Sequence, residues 1–585
     1  MIAFLRWGRN IGLGVLNGIA KTVLFLILVV VVLIVVGLMR GDGLPPNMVL
    51  ALDLRAPLAD TDAGASPFTA QQVTVMDVVL ALDAAEHDAR IKGVVMRIGS
   101  AGLPVAQAEE IGAALKKFRA SGRFVIAHSQ GFDAASLGDY VTAAAADQIW
   151  MQPHAPFTAA GEGGTAIFLR GLLDKINAVP QIVKRADYKS AADQLMEKSM
   201  TGPDREQTTR LMQSWYDSAV ADAVAERHLT HDKIVAALEA SPQMTENAEA
   251  AGLIDKVGYD DDAQNAALAK AGDGAKLVPF SKYVGLRRTL QEAGAGPHIA
   301  LVEATGEIVD GGGGGSDIAG DDMSKAIRQA TADKDIRAII LRVDSPGGSV
   351  SASDQILDAV KKAQKAGKPV VVSMGGVAAS GGYYISLSAN RIVAEPGTIT
   401  GSIGVLTGKV SIDKSLQMIG VGTDTIGVGK NALYGSEFQP YTDAQLAALN
   451  READTIYADF TSKVAAGRKL PLAKVQGIAK GRVWSGADAQ GQGLVDELGG
   501  FWTAAADAKK LAGIGADEHV TFRIYPRKKG VFEAIDQLMG GSPDAVRAVA
   551  TFERLMDSAP VKTLSGAVSD LPRGGVELRA VNLPR

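Results

Sequence analysis

The chain has 585 residues, 47% of them hydrophobic and 21% charged, with a net charge of −5, 7 histidines and no cysteine. That length exceeds one ordinary core and asks for several domains' worth of sequence. The mildly acidic, interspersed charge argues against a nucleic-acid surface. The missing cysteine excludes disulfides, a thiolate nucleophile and cysteine–zinc sites. It also fits an oxidising compartment.

The first feature along the chain is Thr22 to Met39, an uncharged run dominated by Val, Leu and Ile. At about 1.5 Å per residue its 18 residues span roughly 27 Å, close to the ~30 Å hydrocarbon core of a bilayer. A cleaved signal peptide has a shorter apolar region and a small-residue cleavage site. This run closes instead on Gly37-Leu-Met-Arg-Gly-Asp-Gly43, so an uncleaved anchor is expected over 22–39. Arg6, Arg9 and Lys21 precede it, while Arg40 and Asp42 follow. The positive-inside bias therefore assigns residues 1–21 to the cytoplasm and the large remainder to the other side.

The rest of the chain is written twice, over 47–290 and 297–515. Met48-Val-Leu-Ala-Leu-Asp opens the first copy and Ile299-Ala-Leu-Val-Glu lies at the start of the second. Ile91-Lys-Gly-Val-Val-Met-Arg-Ile-Gly99 parallels Ile336-Arg-Ala-Ile-Ile-Leu-Arg-Val-Asp344. A helix ending at Gly122 or Gly367 follows each. Next come a short strand (Phe124 to His128; Val370 to Ser373) and a Ser/Gly loop. Asp147-Gln-Ile-Trp then matches Asn390-Arg-Ile-Val, and Pro153 matches Pro396. Continuous apolar strands separated by helices predict parallel sheets covered on both faces, an α/β architecture. Ser353 to Ala366 shows the helical logic: Ser353 as cap, Ile356, Leu357, Val360 and Ala363 as one stripe, and Gly367 as stop. Residues 204–253, between the two cores, read as helical, with His228 and His231 in a solvated turn. Gly311 to Gly315 reads as a flexible loop. Residues 516–585 are poorly patterned and read as a peripheral extension, partly disordered. No histidine has metal-ligand spacing, so neither metal nor cofactor is expected.

Chemistry concentrates at Ser380, in Ser373-Met-Gly-Gly-Val-Ala-Ala-Ser-Gly-Gly-Tyr-Tyr384. It lies after an apolar strand and before a helical stretch, where helix N–H groups favour developing negative charge. The ordinary use of such a serine is helix capping. A second glycine loop, Asp344-Ser-Pro-Gly347-Gly348, follows the preceding strand, and the two loops together can build an oxyanion hole. A serine nucleophile needs a base, and no histidine falls in the inner loops of the second copy. Lysine can serve if neutral. An exposed lysine is uncharged in only about one of 2,500 molecules at pH 7, and lowering its pKa to ~8 by desolvation costs roughly 3 kcal/mol. Lys189, set among small and aromatic residues in Arg185-Ala-Asp-Tyr-Lys189-Ser-Ala-Ala192, is the best candidate.

The anchor, the two copies, Val-Asp-Ser-Pro-Gly-Gly348, Ala-Ala-Ser-Gly-Gly-Tyr383, Thr-Gly-Ser-Ile-Gly-Val405 and Tyr188-Lys-Ser-Ala together resemble the signal peptide peptidase A (protease IV) family of bacteria in its long two-copy form. The resemblance covers roughly residues 20 to 510. It implies tandem Clp-protease/crotonase-like domains with parallel sheets and one N-terminal transmembrane helix. It also implies Ser380 as nucleophile, Lys189 as general base and Ser402 as the hydroxyl that orients the lysine. Backbone N–H groups around Gly347, Gly348 and Gly381 would form the oxyanion hole. The implied substrates are signal-peptide remnants and other apolar peptides. The implied setting is the bacterial inner membrane, with the catalytic part on the periplasmic side, assembled as a tetramer-like ring or bowl of identical chains. In the first copy Ser136 is aligned with Ser380, while Leu137, Leu103 and Ala159 replace Gly381, Gly348 and Ser402. A mirrored Ser136/Lys430 site is conceivable, but a decayed site in a structural copy is expected. Two other readings stand beside the peptidase: a crotonase-like acyl-thioester enzyme and a non-catalytic membrane scaffold.

Overall fold

The structure is a computed structural model. It describes residues 42–61, 72–100, 102–133, 137–291, 296–313, 316–526 and 576–579. The anchor expected over 22–39, the segment before it and Ser136 lie outside these residues. Among the described residues no helix is long and apolar enough to cross a membrane.

Two sheets carry the duplication. In the first, all parallel, the strands run in the order Lys256–Val257, Gln148–Met151, Phe124–Ser129, Ile91–Ile98, Met48–Asp53, Lys276–Pro279. The second follows the order Val483–Ser485, Ile399–Gly401, Val370–Ala379, Ile336–Ser345, His298–Thr305, Thr521–Tyr525, with only the Val483–Ser485 edge antiparallel. The match extends to a defect: the register slips after the first residue of the opening strand in both copies, at Met48/Val49 and at His298/Ile299. The central strands are buried along almost their whole length, which is why they read as unbroken apolar runs.

Two expectations change. The helix expected from Ser353 begins earlier and spans Val350–Lys365, because Ser349 caps it by accepting from Ala352 N at 3.3 Å. Ser353 is buried in its first turn, its hydroxyl donating to Ser349 O at 2.7 Å. The second copy also does not stop at 515. Thr521–Tyr525 pairs with His298–Val302 just as Lys276–Pro279 pairs with Met48–Ala51, so part of the expected peripheral extension is an edge strand.

The copies are fused into one body. Ile299, Leu301, Ile340 and Val371 of the second copy share a core with Leu52, Leu115 and Phe132 of the first. A buried ionic cluster crosses the same seam. Arg342 forks onto Asp60 at 2.9 and 2.6 Å and reaches Glu110 at 2.7 Å, while Glu110 also accepts from Phe501 N at 2.6 Å. The two carboxylates hold the Arg342 guanidinium charged despite complete burial. Removing one partner of such a set leaves an uncompensated buried charge, at a cost of about 3–5 kcal/mol.

A third, smaller sheet joins the copies where the chemistry lies. Its order is Ile318–Ala319, Ile308–Val309, Gly347–Ser349, Val576–Arg579, Val405–Ser411, Val179–Arg185. Val179–Arg185 belongs to the first copy and pairs antiparallel with Val405–Ser411 of the second, Arg185 opposite Val405 and Val179 opposite Ser411. This pairing carries Lys189, four residues further on, into the second copy.

Candidate active site

Ser380 stands between the strand Val370–Ala379 and the short helix Gly381–Ser386, with φ 56° and ψ −112°. Its side chain makes no capping bond, so the ordinary use of a serine at this place is absent. A positive φ at a non-glycine residue costs on the order of 1–3 kcal/mol and persists only where the surroundings hold it. Here Ser380 N donates to Gly401 O at 2.9 Å, and Tyr384 N donates to Ser380 O at 2.9 Å. The strain aims the hydroxyl away from the helix and toward Lys189.

Lys189 Nζ lies 2.8 Å from Ser380 Oγ, 3.1 Å from Ser402 O and 3.0 Å from Ser402 Oγ. All three side chains are 0% exposed. Burial alone drives the lysine pKa well below its usual value, since an ammonium loses its hydration there without gaining a carboxylate. The neutral amine has two N–H groups and one lone pair. Ser402 O can only accept, and Ser402 Oγ takes the second N–H, which leaves the lone pair for the Ser380 hydroxyl. Ser402 is itself held at φ 50°, its N–H donating to Arg482 O at 2.8 Å.

The glycines close the arrangement. A Cβ on Gly381 would fall 3.1 Å from Gly348 N and 2.8 Å from Ser353 Oγ, so the backbones of the two glycine loops meet beside Ser380. Gly348 has φ +146°, and a Cβ there would strike Ile308 O at 2.0 Å. Gly347 N donates to Ser345 Oγ at 3.2 Å. Ser380, Lys189, Ser402, Gly347, Gly348 and Gly381 are thus brought together.

Two supporting residues carried no signal in the sequence. Gln207, buried on the helix Gly202–Arg227, donates to Tyr188 O at 3.0 Å and Ser190 Oγ at 2.9 Å and accepts from Val483 N at 3.2 Å. It clamps the lysine loop of the first copy to an edge strand of the second. Gly481 supplies the surface on which Lys189 lies: a Cβ there would sit 2.6 Å from Lys189 Cβ.

The first copy lacks these features. The helix after its loop spans Gly138–Ala144. Tyr140 OH donates to Leu253 O at 3.1 Å as Tyr383 OH donates to Leu494 O at 3.0 Å. Asp147 accepts from Val125 N as Asn390 accepts from Val370 N. That register makes Leu137, not Ser136, the counterpart of Ser380. The expected alignment was therefore one residue out, because the preceding loops differ in length. Gly102 N and Leu103 N, the counterparts of the Gly347–Gly348 amides, donate to the Asp139 carboxylate at 3.0 and 3.1 Å. Ala159 is buried and offers no hydroxyl, and Lys430 is exposed.

Comparison with known proteins places the chain among peptidases. The description of peptidase family S49 matches residues 117–273 and 362–515, and that of Clp protease matches residues 315–396. Protease 4 of Haemophilus influenzae is 34% identical over 77% of this chain and 75% of its own length. Protease 4 of Salmonella typhi is 30% identical over 98% of this chain and 95% of its own. A chloroplastic serine protease SPPA of Arabidopsis thaliana is 34% identical over 75% of this chain and 65% of its own.

Proposed function

The chain belongs to peptidase family S49 and is a serine peptidase, and from that premise we propose that Ser380 and Lys189 form its catalytic dyad. The observation that carries this reading is the buried lysine amine 2.8 Å from the serine hydroxyl, with burial as the sole cause of its lowered pKa. Ser380 Oγ attacks the scissile carbonyl as Lys189 Nζ takes its proton. The oxyanion forms against the N–H groups of Gly348 and Gly381, since Gly347 N–H is turned to Ser345. Removing one such donor costs about 3–4 kcal/mol. The C–N bond breaks, the amine leaves with the proton held on Lys189, and Lys189 then activates the water that hydrolyses the acyl-enzyme. Ser402 keeps the amine oriented throughout.

The substrates are extended apolar peptides, signal-peptide remnants foremost. The place between Gly347–Ser349 and Val405–Ser411, taken here by the strand Val576–Arg579, supports binding of a peptide as an added strand. The uncharged run over 22–39 supports a membrane anchor beside which such peptides are met, with the peptidase on the periplasmic face of the inner membrane. To test this, the full chain in detergent is offered an apolar signal-peptide-like substrate and a polar peptide of equal length. Preferential cleavage of the apolar one, lost in Ser380→Ala, is expected. Undiminished cleavage by Ser380→Ala would end the dyad reading.

The functional unit is an assembly of identical chains, ring- or bowl-like and tetramer-like in number. Val179–Arg185 follows the helix Arg170–Lys175 and pairs with Val405–Ser411, which precedes the helix Asp413–Met418. Their counterparts, 243 residues on and 243 back, are about residues 422–428 and 162–168. Neither is a strand within the single chain, and both stretches expose apolar side chains: Ile426 is 91% and Ile167 69% exposed. Pairing of 422–428 with 162–168 of the next chain repeats the internal contact head to tail and so closes a ring. Ile426→Asp should release smaller species on size-exclusion chromatography with light scattering; an unchanged mass would contradict this contact.

A further inference from the structure

The segment from Lys480 to Val483, in the second copy, bonds to both parts of the setting in which Lys189 lies. Lys480 O accepts from Tyr188 N at 3.1 Å, and Gly481 N donates to Ile403 O at 2.8 Å. Arg482 O accepts from Ser402 N at 2.8 Å, and Val483 N donates to the Gln207 side chain at 3.2 Å. Lys480 and Gly481 turn at φ 51° and 72°, which brings Gly481 against Lys189. Tyr188 and Gln207 belong to the first copy, Ser402 and Ile403 to the second.

The Arg482 side chain reaches back to the first copy. Its guanidinium lies 4.9 Å from the centre of the Tyr188 ring and 4.6 Å from that of Trp484. Its Nη1 donates to Glu206 Oε1 at 2.7 Å, and Tyr188 OH donates to Glu206 Oε2 at 2.8 Å. A planar cation can lie on two rings and pair with a carboxylate at once; a lysine ammonium has no plane to stack. Tyr188 precedes the base, and Glu206 precedes the clamp Gln207. Arg482 therefore grips the loop of the base with its side chain and the orienting serine with its carbonyl.

As a stabilising ion pair this contact is weak, because Glu206 is 56% exposed. The first copy shows that the fold does without the arginine. Leu253 N donates to Ala248 O as Leu494 N donates to Ala489 O, and that register puts Ser241 where the second copy has Arg482. The copy with Leu137 and Ala159 in place of Ser380 and Ser402 thus lacks the arginine as well.

We propose that Arg482 is a positioning residue for peptide cleavage that acts through Ser402, an inference that rests on the Ser380/Lys189 reading above. It fixes Ser402, held at φ 50°, relative to the lysine loop. Ser402 O and Oγ then both stay within reach of Lys189 Nζ while the amine takes up and returns the proton. Without Arg482 the serine and the amine drift out of register, which lowers turnover and leaves peptide binding alone.

The test is a double-mutant cycle of Arg482→Gln with Ser402→Ala. It is read by steady-state kinetics of the detergent-solubilised full chain on an apolar peptide, with Ser380→Ala as the blank. Arg482→Gln alone should lower kcat about 10-fold and change KM by less than about two-fold. In the Ser402→Ala background the same substitution should cost less than about two-fold in kcat, because the residue it positions has lost its hydroxyl. Arg482→Lys, which keeps a charge for Glu206 without the stacking plane, should recover only part of the lost kcat. Should Arg482→Gln fail to fold, Tyr188→Leu, which removes one face of the stack, goes through the same cycle with the same expectation. Unchanged kcat, full recovery with lysine, or losses that multiply in the double variant would overturn the inference and leave the dyad standing. Cleavage that persists in Ser380→Ala would overturn both.

Discussion

At the turn between central strand and short helix, the second copy holds Ser380 at positive φ against two glycine loops, and the first copy holds Leu137. The sheets that carry them are alike down to a shared register slip in their opening strands, so the two turns stand on the same scaffold. What differs is who occupies the anion site. In the second copy the loop amides converge beside a serine; in the first, their counterparts are satisfied by the Asp139 carboxylate. An oxyanion hole must keep donors available for charge that appears only in the transition state. A fixed carboxylate uses those donors permanently and turns a catalytic turn into a structural one. The first copy is not idle: through Val179–Arg185 and Gln207 it delivers Lys189 to the Ser380 hydroxyl of the second copy.

The largest effect should come from removing that delivery. Lys189→Met should lower kcat by about 10³-fold or more, as expected for one member of a unit that acts together. Its stability should not fall. A lysine whose folded pKa is depressed binds its proton more readily when unfolded, so its contribution is fully favourable only above about 10.4 and worsens as pH falls toward the folded value. Thermal unfolding at pH 7–8 should show an equal or higher Tm; a clear drop would mean that the amine is held charged by partners.

Gly348→Leu, which gives the second copy the residue of the first, should cost about 10²–10³-fold in kcat, because the side chain must displace Ile308 O and carries the amide with it. Unchanged kcat in steady-state assays would remove Gly348 from the oxyanion hole.

How much of this was legible in the sequence depended on the range of the contacts. Ser380, the glycines and the repeated strands are local patterns, and the continuous apolar runs announce parallel sheets. Lys189 stood out by its small and aromatic neighbours, while Ser402 was reached through a resemblance, since nothing local marks a turn serine as the partner of a buried lysine. The seam of Arg342, Asp60 and Glu110, the clamp at Gln207 and the Leu137 register depend on distances across loops of unequal length in the two copies, which no periodicity encodes. The third sheet was invisible because its strands are short, glycine-rich or supplied by remote segments.

Ser402→Ala, which gives the second copy the alanine that the first has at Ala159, should cost about 10- to 100-fold in kcat, equivalent to one hydrogen bond to a group that becomes charged, with KM little changed. Losing an acceptor disfavours the ammonium, so the acid limb of the kcat profile should move to lower pH; a shift upward would contradict the orientation assigned to Ser402. The smallest effect should come from Leu137→Ser. A hydroxyl there has no buried lysine beside it, and the loop amides are taken by Asp139, so peptide cleavage by the Ser380→Ala, Leu137→Ser double variant should stay at background. Recovery of cleavage would show that Asp139 does not disable the first copy.

The most direct measurement is titration of the wild-type chain with a serine-directed fluorophosphonate, followed by peptide mapping. One adduct per chain, on Ser380, that disappears in Ser380→Ala and is suppressed in Lys189→Met is the result expected from a single site built across the two copies. An adduct on a residue of the first copy, or undiminished labelling without Lys189, would contradict it.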